Sequence, residues 1–284
     1  MTVAVVAGGT RGAGRGIAVE LGAIGATVYV TGRSTRGHRS DMDRPETIEE
    51  TAELVTAAGG TGIALAADHT VPEQVEAVFK QVAEEQDGRL DVLVNDVWGG
   101  DPLTEFGTPF WELDMGKAAR LFNQAVLSHV ITSRYGAPMM VARKAGLVVE
   151  VTDGHTDNYR GTLTYDLVKS SVIRLAKGMG EELKPHGVTA LAITPGFLRS
   201  EAMLDLFGVK EQNWRDGVAE DPHFIASETP RFVGRAVAAL ATDPNVMEKS
   251  GGVYTSWDLS EEYGFTDVDG ARPHWGRYFA TIQT

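Results

Sequence analysis

The sequence predicts an α/β protein in which helices cover both faces of one doubly wound, parallel sheet of about seven strands. The main observation is that short β-branched runs alternate with helical stretches along the chain, as in right-handed βαβ crossovers. In addition, strand segments such as VAVVA and DVLVN are almost continuously apolar, which is typical of strands buried on both faces. A chain of 284 residues with 43% hydrophobic residues can form this sheet as a single domain.

The individual elements follow from these patterns. Apolar, β-branched runs predict strands at residues 3–7, 27–31, 61–66, 90–95, 146–152, 189–194 and 252–255. Longer helical stretches are predicted at residues 15–24, 47–58, 73–86, 122–143, 163–183 and 232–241. Ligands of such sheets bind beyond the carboxyl ends of the strands, so the loops at those ends hold the candidate site residues.

The composition argues against several classes of protein. A formal net charge of −13 disfavours a nucleic-acid surface, which needs clustered lysine and arginine. No window reaches the roughly 18 apolar residues of a membrane span, and the absence of cysteine excludes disulfide and thiol chemistry. The seven histidines are scattered, so we expect no metal site. Because the sequence begins directly with a strand, we expect a cytoplasmic protein without a signal peptide.

A glycine-rich turn, AGGTRGAGRG, follows the first predicted strand. Gly8, Gly12 and Gly14 permit a tight turn and the close approach of backbone to a pyrophosphate, which would rest on the N-terminus of the next helix. Thr10 and Arg11 lie in the same turn. A strand before the glycines and a helix after them are typical of a Rossmann-type dinucleotide site.

The end of the second strand indicates which dinucleotide binds. Sites for NAD(H) usually have an acidic residue there for the ribose 2′-hydroxyl, but this chain has Arg33 and Ser34. Guanidinium groups pair with phosphate as planar forks. We therefore predict that Arg11 and Arg33 contact a 2′-phosphate and that the cofactor is NADP(H). Arg36 and Arg39 are interpreted as solvated surface residues.

The segment TYDLVKSSV places Tyr165 and Lys169 four residues apart on a predicted helix. Residues with this spacing share a helix face and lie about 5–6 Å apart. A free tyrosine has a pKa of about 10, and a neighbouring cation favours the phenolate. The pair therefore predicts a general acid/base whose pKa is brought closer to the useful range.

Together these motifs resemble the short-chain dehydrogenase/reductase family along essentially the whole chain. Further segments that carry the resemblance are Asp68 after the third strand, Asn95 in LVNDVWGG, and Pro195-Gly196 followed by Ser200. The resemblance implies that Asp68 contacts the adenine end of the cofactor. It also implies that Asn95 belongs to the cofactor site and that Pro195, Gly196 and Ser200 lie near the nicotinamide.

The family mechanism is then expected of the matching residues. Tyr165 would exchange a proton with the substrate oxygen, and Lys169 would hydrogen-bond the nicotinamide ribose and lower the tyrosine pKa. Asn123, counted back from the Tyr-Gly-Ala segment at 135–137, falls where the family has an asparagine that holds a water linked to Lys169. The alternative for Asn123 is a partly buried helix residue.

The segment LVVEVTDGH departs from the family, which has a serine here to hydrogen-bond the substrate oxygen. Strand register puts Asp153 at the serine position, whereas the spacing to Tyr165 puts Thr152 there. Thr152 could donate a hydrogen bond, but an ionised Asp153 can only accept. The missing serine donor can be replaced in three ways, which stay open. Asp153 is protonated by burial, Thr152 takes the place of the serine, or the substrate supplies a donor or a positive charge.

Acidic residues recur at the strand ends, namely Asp96, Asp101, Asp153 and Asp157. Carboxylates that lie together disfavour one another unless a cation or donor lies between them. We therefore hypothesise a substrate that carries an amine, an imine or several hydroxyl groups. The alternative is that some of these acids cap turns or helices.

Two segments are candidates for covering the cofactor and the substrate. The charged insertion (residues 34–46) would lie over the adenosine, and the substrate segment (residues 197–230) would form a lid. An apolar wall is predicted from Phe197, Met203, Leu204, Phe207 and Trp214, with Trp98 and Tyr159 opposite; core packing is the alternative. His155 is a further candidate acid/base or orienting group.

The sequence thus predicts an NADP(H)-dependent oxidoreductase that transfers a hydride to or from a small carbonyl or alcohol, with Tyr165 as general acid/base. The rival class is a dehydratase, epimerase or isomerase on the same fold, which the missing serine favours. A cofactor-sensing protein is less favoured because the Tyr/Lys pair is intact. The resemblance implies a homodimer or homotetramer, and we expect neither a nucleic-acid nor a membrane partner.

Overall fold

The computed structural model describes residues 2–40, 42–156 and 158–282. Within these ranges the strands are β1 (Val3–Ala7), β2 (Thr27–Gly32), β3 (Thr61–Ala66), β4 (Val92–Asn95), β5 (Gly146–Val151), β6 (Val188–Thr194) and β7 (Val253–Thr255). The α-helices are α1 (Gly12–Ala23), α2 (Ile48–Ala57), α3 (Pro72–Glu85), α4 (Met115–Phe122), α5 (Ser128–Arg143), α6 (Leu163–Leu183), α7 (Glu201–Leu206), α8 (Pro230–Thr242), α9 (Ser256–Tyr263) and α10 (Trp275–Ile282).

The strands form one parallel sheet in the order β3-β2-β1-β4-β5-β6-β7. The predicted fold class is therefore confirmed. The chain runs outward from β1 through β2 to β3 and then returns to β4 on the other side of β1. The loops after β1 and β4 consequently separate at a crevice, where open α/β sheets bind their ligands.

Apolar layers cover the two faces of the sheet. On one face, α1 and α8 pack against strand residues such as Val28 and Ile193. On the other face, α3 and α5 pack against residues such as Val5 and Val148. This burial explains why the strand segments are apolar at consecutive positions. Among the described residues, every helix is too short or too polar to span a bilayer.

The helix predicted at residues 122–143 is interrupted. A π-helical turn at Asn123–Leu127 joins α4 to α5. A π turn holds one more residue than an α turn, so the side chains that precede it are rotated relative to those of a continuous helix. The sequence pattern also does not predict α7, α9 and α10, and it predicts no helix over α4 before residue 122.

The substrate segment has an apolar core of its own. Val209, Trp214 and Phe224 are buried there, and Phe197, Met203, Leu204 and Phe207 pack against them. The guanidinium carbon of Arg199 lies 4.1 Å from the centroid of the Trp214 ring, and Arg199 is only 2% exposed. At the neck of the segment, the Arg199 amide donates to the Glu228 carbonyl (2.7 Å) and the Glu228 amide donates to the Phe197 carbonyl (2.8 Å). The segment is therefore a packed unit and not an irregular loop.

Helices α1 and α8 approach each other closely because both have a glycine at the contact. A Cβ atom added to Gly16 would overlap the carbonyl oxygen of Pro230, and one added to Gly234 would overlap the carbonyl oxygen of Gly16. Backbone atoms cannot yield as a flexible side chain can. The contact also fixes α1, whose N-terminus points to the crevice.

We predict that Gly16→Ala lowers the free energy of unfolding by about 2 kcal/mol or more, because the added methyl group forces two helices apart. Gly178→Ala in α6 is the matched control, since its added Cβ meets no described atom within 4 Å. It should stabilise the protein by about 0.5–1 kcal/mol through lower backbone entropy in the unfolded chain. Chemical denaturation measures both values, and equal stability of the two variants would contradict the close contact.

Candidate active site

A cavity of about 1030 Å³ lies at the carboxyl ends of the central strands. Most predicted site residues line it: Gly8, Thr10, Arg11, Gly12, Arg33, Ser34, Asp68, Trp98, Asp101, Thr152, Asp153, His155, Tyr159, Tyr165, Lys169, Pro195, Gly196, Phe197 and Ser200. Among the described residues, Gly14, Asn95 and Asn123 were predicted for the site but do not line the cavity. Asp157 lies outside the described residues. In the same ranges, no group of three or more histidine, aspartate or glutamate residues could hold a metal ion.

The glycine turn is packed against the loop that follows β4. Gly8 has a φ of +86°, and a Cβ there would overlap the backbone of Asp96. The Gly14 amide donates to the Asp96 carboxylate, whose pKa burial raises to about 7. Gly14 therefore closes the turn from beneath, whereas Gly8 and Gly12 face the cavity.

Asn95 holds the end of β4 from inside the protein. It is fully buried, and its side-chain amide donates to Glu150 (2.6 Å) and to Ser133 (2.9 Å). The same glutamate bonds His129 Nδ1 (2.6 Å), and His129 Nε2 lies 3.1 Å from the Val97 carbonyl oxygen. The network fixes the β4 loop, and the structure gives Asn95 this supporting position, not a place in the cavity wall. Sequence reasoning missed His129 and Glu150 because their pairing is made across the fold.

The end of the cavity beside β2 carries several arginine side chains. Arg11 donates to Ser34 Oγ (3.3 Å) and lies 3.5 Å from the carboxylate of buried Glu46. Arg33 lies 3.9 Å from Asp68. Arg44, which the sequence analysis did not single out, bonds Glu46 at 2.6 Å and Asp205 of α7 at 2.9 Å. The charged insertion is thereby tied across the cavity to the substrate segment.

Arg36 and Arg39, which were interpreted as solvated surface residues, differ in their position relative to the cavity. Arg36 pairs with Glu53 at 2.6 Å on the exposed surface, in agreement with its interpretation as a surface residue. Arg39 pairs with Asp43 and is mostly exposed, but it also borders the cavity.

Glu201 occupies the glycine turn at the N-terminus of α1. Its Oε2 accepts from the Gly12 amide at 2.9 Å, and its Oε1 lies 3.6 Å from Arg15 Nε. The preceding residue, Ser200, caps α7 by accepting from the Met203 amide. A helix N-terminus favours anions, so the carboxylate lies where a phosphate group would be stabilised.

Tyr165 and Asp153 form the central contact of the predicted reacting groups. Tyr165 Oη donates to Asp153 Oδ2 at 2.7 Å. Burial, followed by the charge and hydrogen bond of Asp153, raises the tyrosine pKa. This is opposite to the direction predicted from Lys169, because the phenol is buried and bonded to a carboxylate, whereas the ammonium lies 5.5 Å from the ring centroid.

Lys169 lies against Trp98. Its Nζ is 4.0 Å from the centroid of the indole ring, and desolvation lowers its pKa. The indole packs edge-on against Tyr165 with centroids 5.5 Å apart, and its Nε1 donates to Asp101 (2.7 Å). Trp98 is therefore a wall shared by both members of the Tyr/Lys pair, and Asp101 orients that wall.

The structure distinguishes between the two candidates for the serine position. Thr152 Oγ1 donates its hydrogen to the backbone carbonyl of Lys169 at 2.8 Å. That hydrogen is therefore committed to the α6 backbone. Asp153, which directly bonds Tyr165, is the residue beside the phenol.

The structure does not bring Asn123 to the reacting groups. Its side chain is exposed, and the next residue, Gln124, lines the cavity instead. The physical reason is the π turn, because the additional residue shifts which side chain faces inward. Gln124 Oε1 is buried and has no hydrogen-bond partner within the described part of the chain.

The remaining predicted substrate residues surround the cavity mouth. Tyr159 is 65% exposed at the rim. His155 packs edge-on against Trp257, and desolvation lowers its pKa. Of the five residues predicted as an apolar wall, Phe197 and Met203 line the cavity. The other three belong to the core of the substrate segment, so the packing alternative holds for them.

Glu228 supports the Pro-Gly turn from behind. Its Oε2 accepts from the Gly196 amide (2.9 Å) and from Ser256 Oγ (2.6 Å). Burial raises its pKa to about 8. The carboxyl group thus connects the neck of the substrate segment to the strand end that lines the cavity.

Comparisons with known proteins agree with this architecture. A family model described as short chain dehydrogenase matches residues 2–207. Dehydrogenase/reductase SDR family member 1 from Mus musculus is 36% identical over 272 residues, which cover 94% of this chain and 83% of the relative. The protein of the same name from Homo sapiens is 35% identical with the same coverage. The chain belongs to the short-chain dehydrogenase/reductase family, whose members are oxidoreductases with a nicotinamide cofactor.

Solved structures share the fold at lower sequence identity. A short chain dehydrogenase from Mycobacterium thermoresistibile has a TM-score of 0.78 at 22% identity, covering 97% of this chain and 91% of that protein. A putative NAD(P)-dependent gluconate 5-dehydrogenase from Beutenbergia cavernae, with bound NADP, has a TM-score of 0.70 at 22% identity. That match covers 90% of this chain and 94% of the other.

We predict that Glu201→Gln tightens NADPH binding by up to about fivefold, because a neutral side chain competes less well for the positive end of α1. Fluorescence titration of the purified variant measures the dissociation constant. Glu76→Gln, an exposed acid on α3, controls for the change in net charge. Unchanged or weaker binding in Glu201→Gln would show that the carboxylate does not compete with the cofactor.

We predict that Glu228 makes folding less favourable as the pH rises from about 4.5 to about 8. Over this range the unfolded carboxyl loses its proton while the folded one retains it, so the free energy of unfolding falls with pH. Glu228→Gln lacks this contribution, and its melting temperature relative to wild type should increase between pH 5 and pH 8. Glu220 is an exposed acid of the same segment. The difference in melting temperature between Glu220→Gln and wild type should stay constant over this pH range.

Proposed function

We propose that the protein is an NADP(H)-dependent oxidoreductase that transfers a hydride between the nicotinamide and a small alcohol or carbonyl compound. The observation that carries this proposal is the single cavity that joins the glycine turn to Tyr165, Asp153 and Lys169. Hydride transfer requires the reactive end of the cofactor beside an acid/base group. A cavity that is continuous between these two regions allows one bound cofactor to reach both.

The residues along the cavity fit this cofactor. Gly8 and Gly12 leave the backbone open at the N-terminus of α1, which suits a pyrophosphate. Arg11 and Arg33 supply guanidinium groups at the end of β2. Arg11 Nε is buried without a hydrogen-bond partner in the described ranges, and the Glu46 carboxylate lies 3.5 Å from it. A 2′-phosphate would supply an acceptor at hydrogen-bond distance. Two structural neighbours carry this cofactor, namely the Beutenbergia enzyme with NADP and an actinorhodin polyketide ketoreductase with NADPH.

The chemistry then follows from the residues near the mouth. When bound, the cofactor supplies or accepts the hydride. Tyr165 exchanges the proton of the substrate oxygen at its Oη, and Lys169 holds positive charge beside it. Trp98 and Phe197 limit the access of water to these groups. The exposed Asp101 and Tyr159 at the rim favour substrates with a further hydroxyl or amine group. On the family resemblance we also propose a cytoplasmic homodimer or homotetramer.

We predict that wild-type protein binds NADPH more tightly than NADH and couples NADP(H) turnover one-to-one to product formation. Tyr165→Phe should lower kcat by about 10²–10⁴-fold with little change in the NADPH dissociation constant, since it removes only the hydroxyl group. Absorbance of the reduced nicotinamide, followed over panels of alcohols, amino alcohols and carbonyls, measures turnover. Product formation without net nicotinamide oxidation would favour the non-redox class, and absence of binding of either cofactor would refute the proposal.

A further inference from the structure

Asp153 bonds the hydroxyl group of Tyr165 as an acceptor, where the family has a serine that donates to the substrate. We propose that Asp153 is the terminal proton acceptor of this site, and that Tyr165 relays to it the hydroxyl proton of an alcohol substrate. This inference rests on the proposed function and deepens it. It identifies the alcohol as the form of substrate to which the resting site is complementary, and it gives Asp153 a catalytic part.

The hydrogen-bond donors and acceptors of the Tyr165–Asp153 pair favour an alcohol over a carbonyl compound. A tyrosine hydroxyl has one hydrogen and two lone pairs, and in Tyr165 that hydrogen points to Asp153 Oδ2 at 2.7 Å. The lone pairs of Tyr165 and the remaining lone pairs of Asp153 are all acceptors. An alcohol or a protonated amine brings a hydrogen to these acceptors. A carbonyl group brings none, so it can accept from Tyr165 only after the bond to Asp153 breaks.

The alternative hydroxyl donor is already engaged. Thr152 lies next to Asp153, but its hydrogen is bonded to the Lys169 carbonyl at 2.8 Å. Thr152 is also only 3% exposed. The hydroxyl group therefore does not restore the donor that the family serine supplies.

The relay moves protons without leaving a charge on Tyr165. The O–H bond of the alcohol breaks as its proton joins Tyr165 Oη, and the Tyr165 proton moves to Asp153 Oδ2. An oxidised nicotinamide bound in the cavity would accept the electron pair of the C–H bond as hydride, and the substrate would become a carbonyl compound. Asp153 would then be a carboxylic acid that returns its proton to solvent.

Other charged groups surround the pair. Lys169 lies on the same helix as Tyr165, Asp101 follows β4, and Arg160 precedes α6. Asp96 also acts on Lys169. Asp101 and Asp153 both raise the pKa of the phenol, and only Asp153 also bonds it. A relay avoids the free phenolate that this surrounding disfavours.

The first test is the pH profile of alcohol oxidation. Wild type should retain oxidation at about pH 6, because Asp153 accepts the proton that Tyr165 passes on. The rate of alcohol oxidation by Asp153→Ser should be about 100-fold lower at that pH. It should recover as the pH rises, since in this variant Tyr165 must lose its proton to solvent. Asp153→Ser should also bind a ketone inhibitor more tightly than wild type, because a donor has been restored.

The second test does not depend on turnover. Ultraviolet difference titration against Tyr165→Phe reports the ionisation of this one tyrosine in each background. Its pKa should fall in Asp153→Ser, which removes both the charge and the hydrogen bond. Asp101→Asn is the matched charge control for the titration, and its pKa decrease should be smaller, because Asp101 acts on the phenol by its charge alone.

The outcomes separate this inference from the proposed function. If wild type shows no nicotinamide-coupled turnover, the proposed function fails and the relay fails with it. If wild type turns over alcohols but Asp153→Ser keeps the same pH profile and the same tyrosine pKa, only the relay is overturned. Loss of acid-side oxidation together with a lower tyrosine pKa would support the relay.

Discussion

The close contact between the glycine turn and the loop after β4 is the constraint on which the site depends. Gly8 and Gly14 allow the backbone and the carboxylate of Asp96 to fill the crevice where the chain changes direction in the sheet. That contact fixes the start of α1 on one side and Trp98 on the other. Since Trp98 packs on both Lys169 and Tyr165, the packing that shapes the phosphate end also sets the position of the predicted reacting groups.

The acidic residues at the strand ends illustrate how one residue type serves different purposes. Asp96 lies beneath the glycine turn, and Asp101 orients the indole of Trp98. Both therefore have local structural roles, but these roles are not the caps of following turns or helices that the alternative describes. Asp153 differs because its partner is the phenol of Tyr165. An acidic site of this kind disfavours an anionic substrate and tolerates groups that donate hydrogen bonds.

Much of the fold could be predicted from the sequence because alternating apolar strands and helices leave few topologies. The glycine turn and the Tyr165–Lys169 pair could be predicted because each depends on local spacing. The errors arise where tertiary packing decides. The π turn replaces Asn123 with Gln124 at the cavity, and Glu201 reaches Gly12 across 189 residues of chain. The direction of the Tyr165 pKa shift could not be predicted either, because it depends on the burial of the phenol and on its hydrogen bond to Asp153.

Two backbone hydrogen bonds join the two ends of the substrate segment to each other, and the segment encloses its own apolar core. The buried side chains of this core can change without altering the parallel sheet, whereas Glu201 and Glu228 of the same segment hold Gly12 and Gly196 at the cavity. The match to the family model ends at residue 207, inside this segment. Because Phe197 and Met203 pack against this core and also line the cavity, substitutions inside the segment would reshape the cavity wall without rebuilding the sheet.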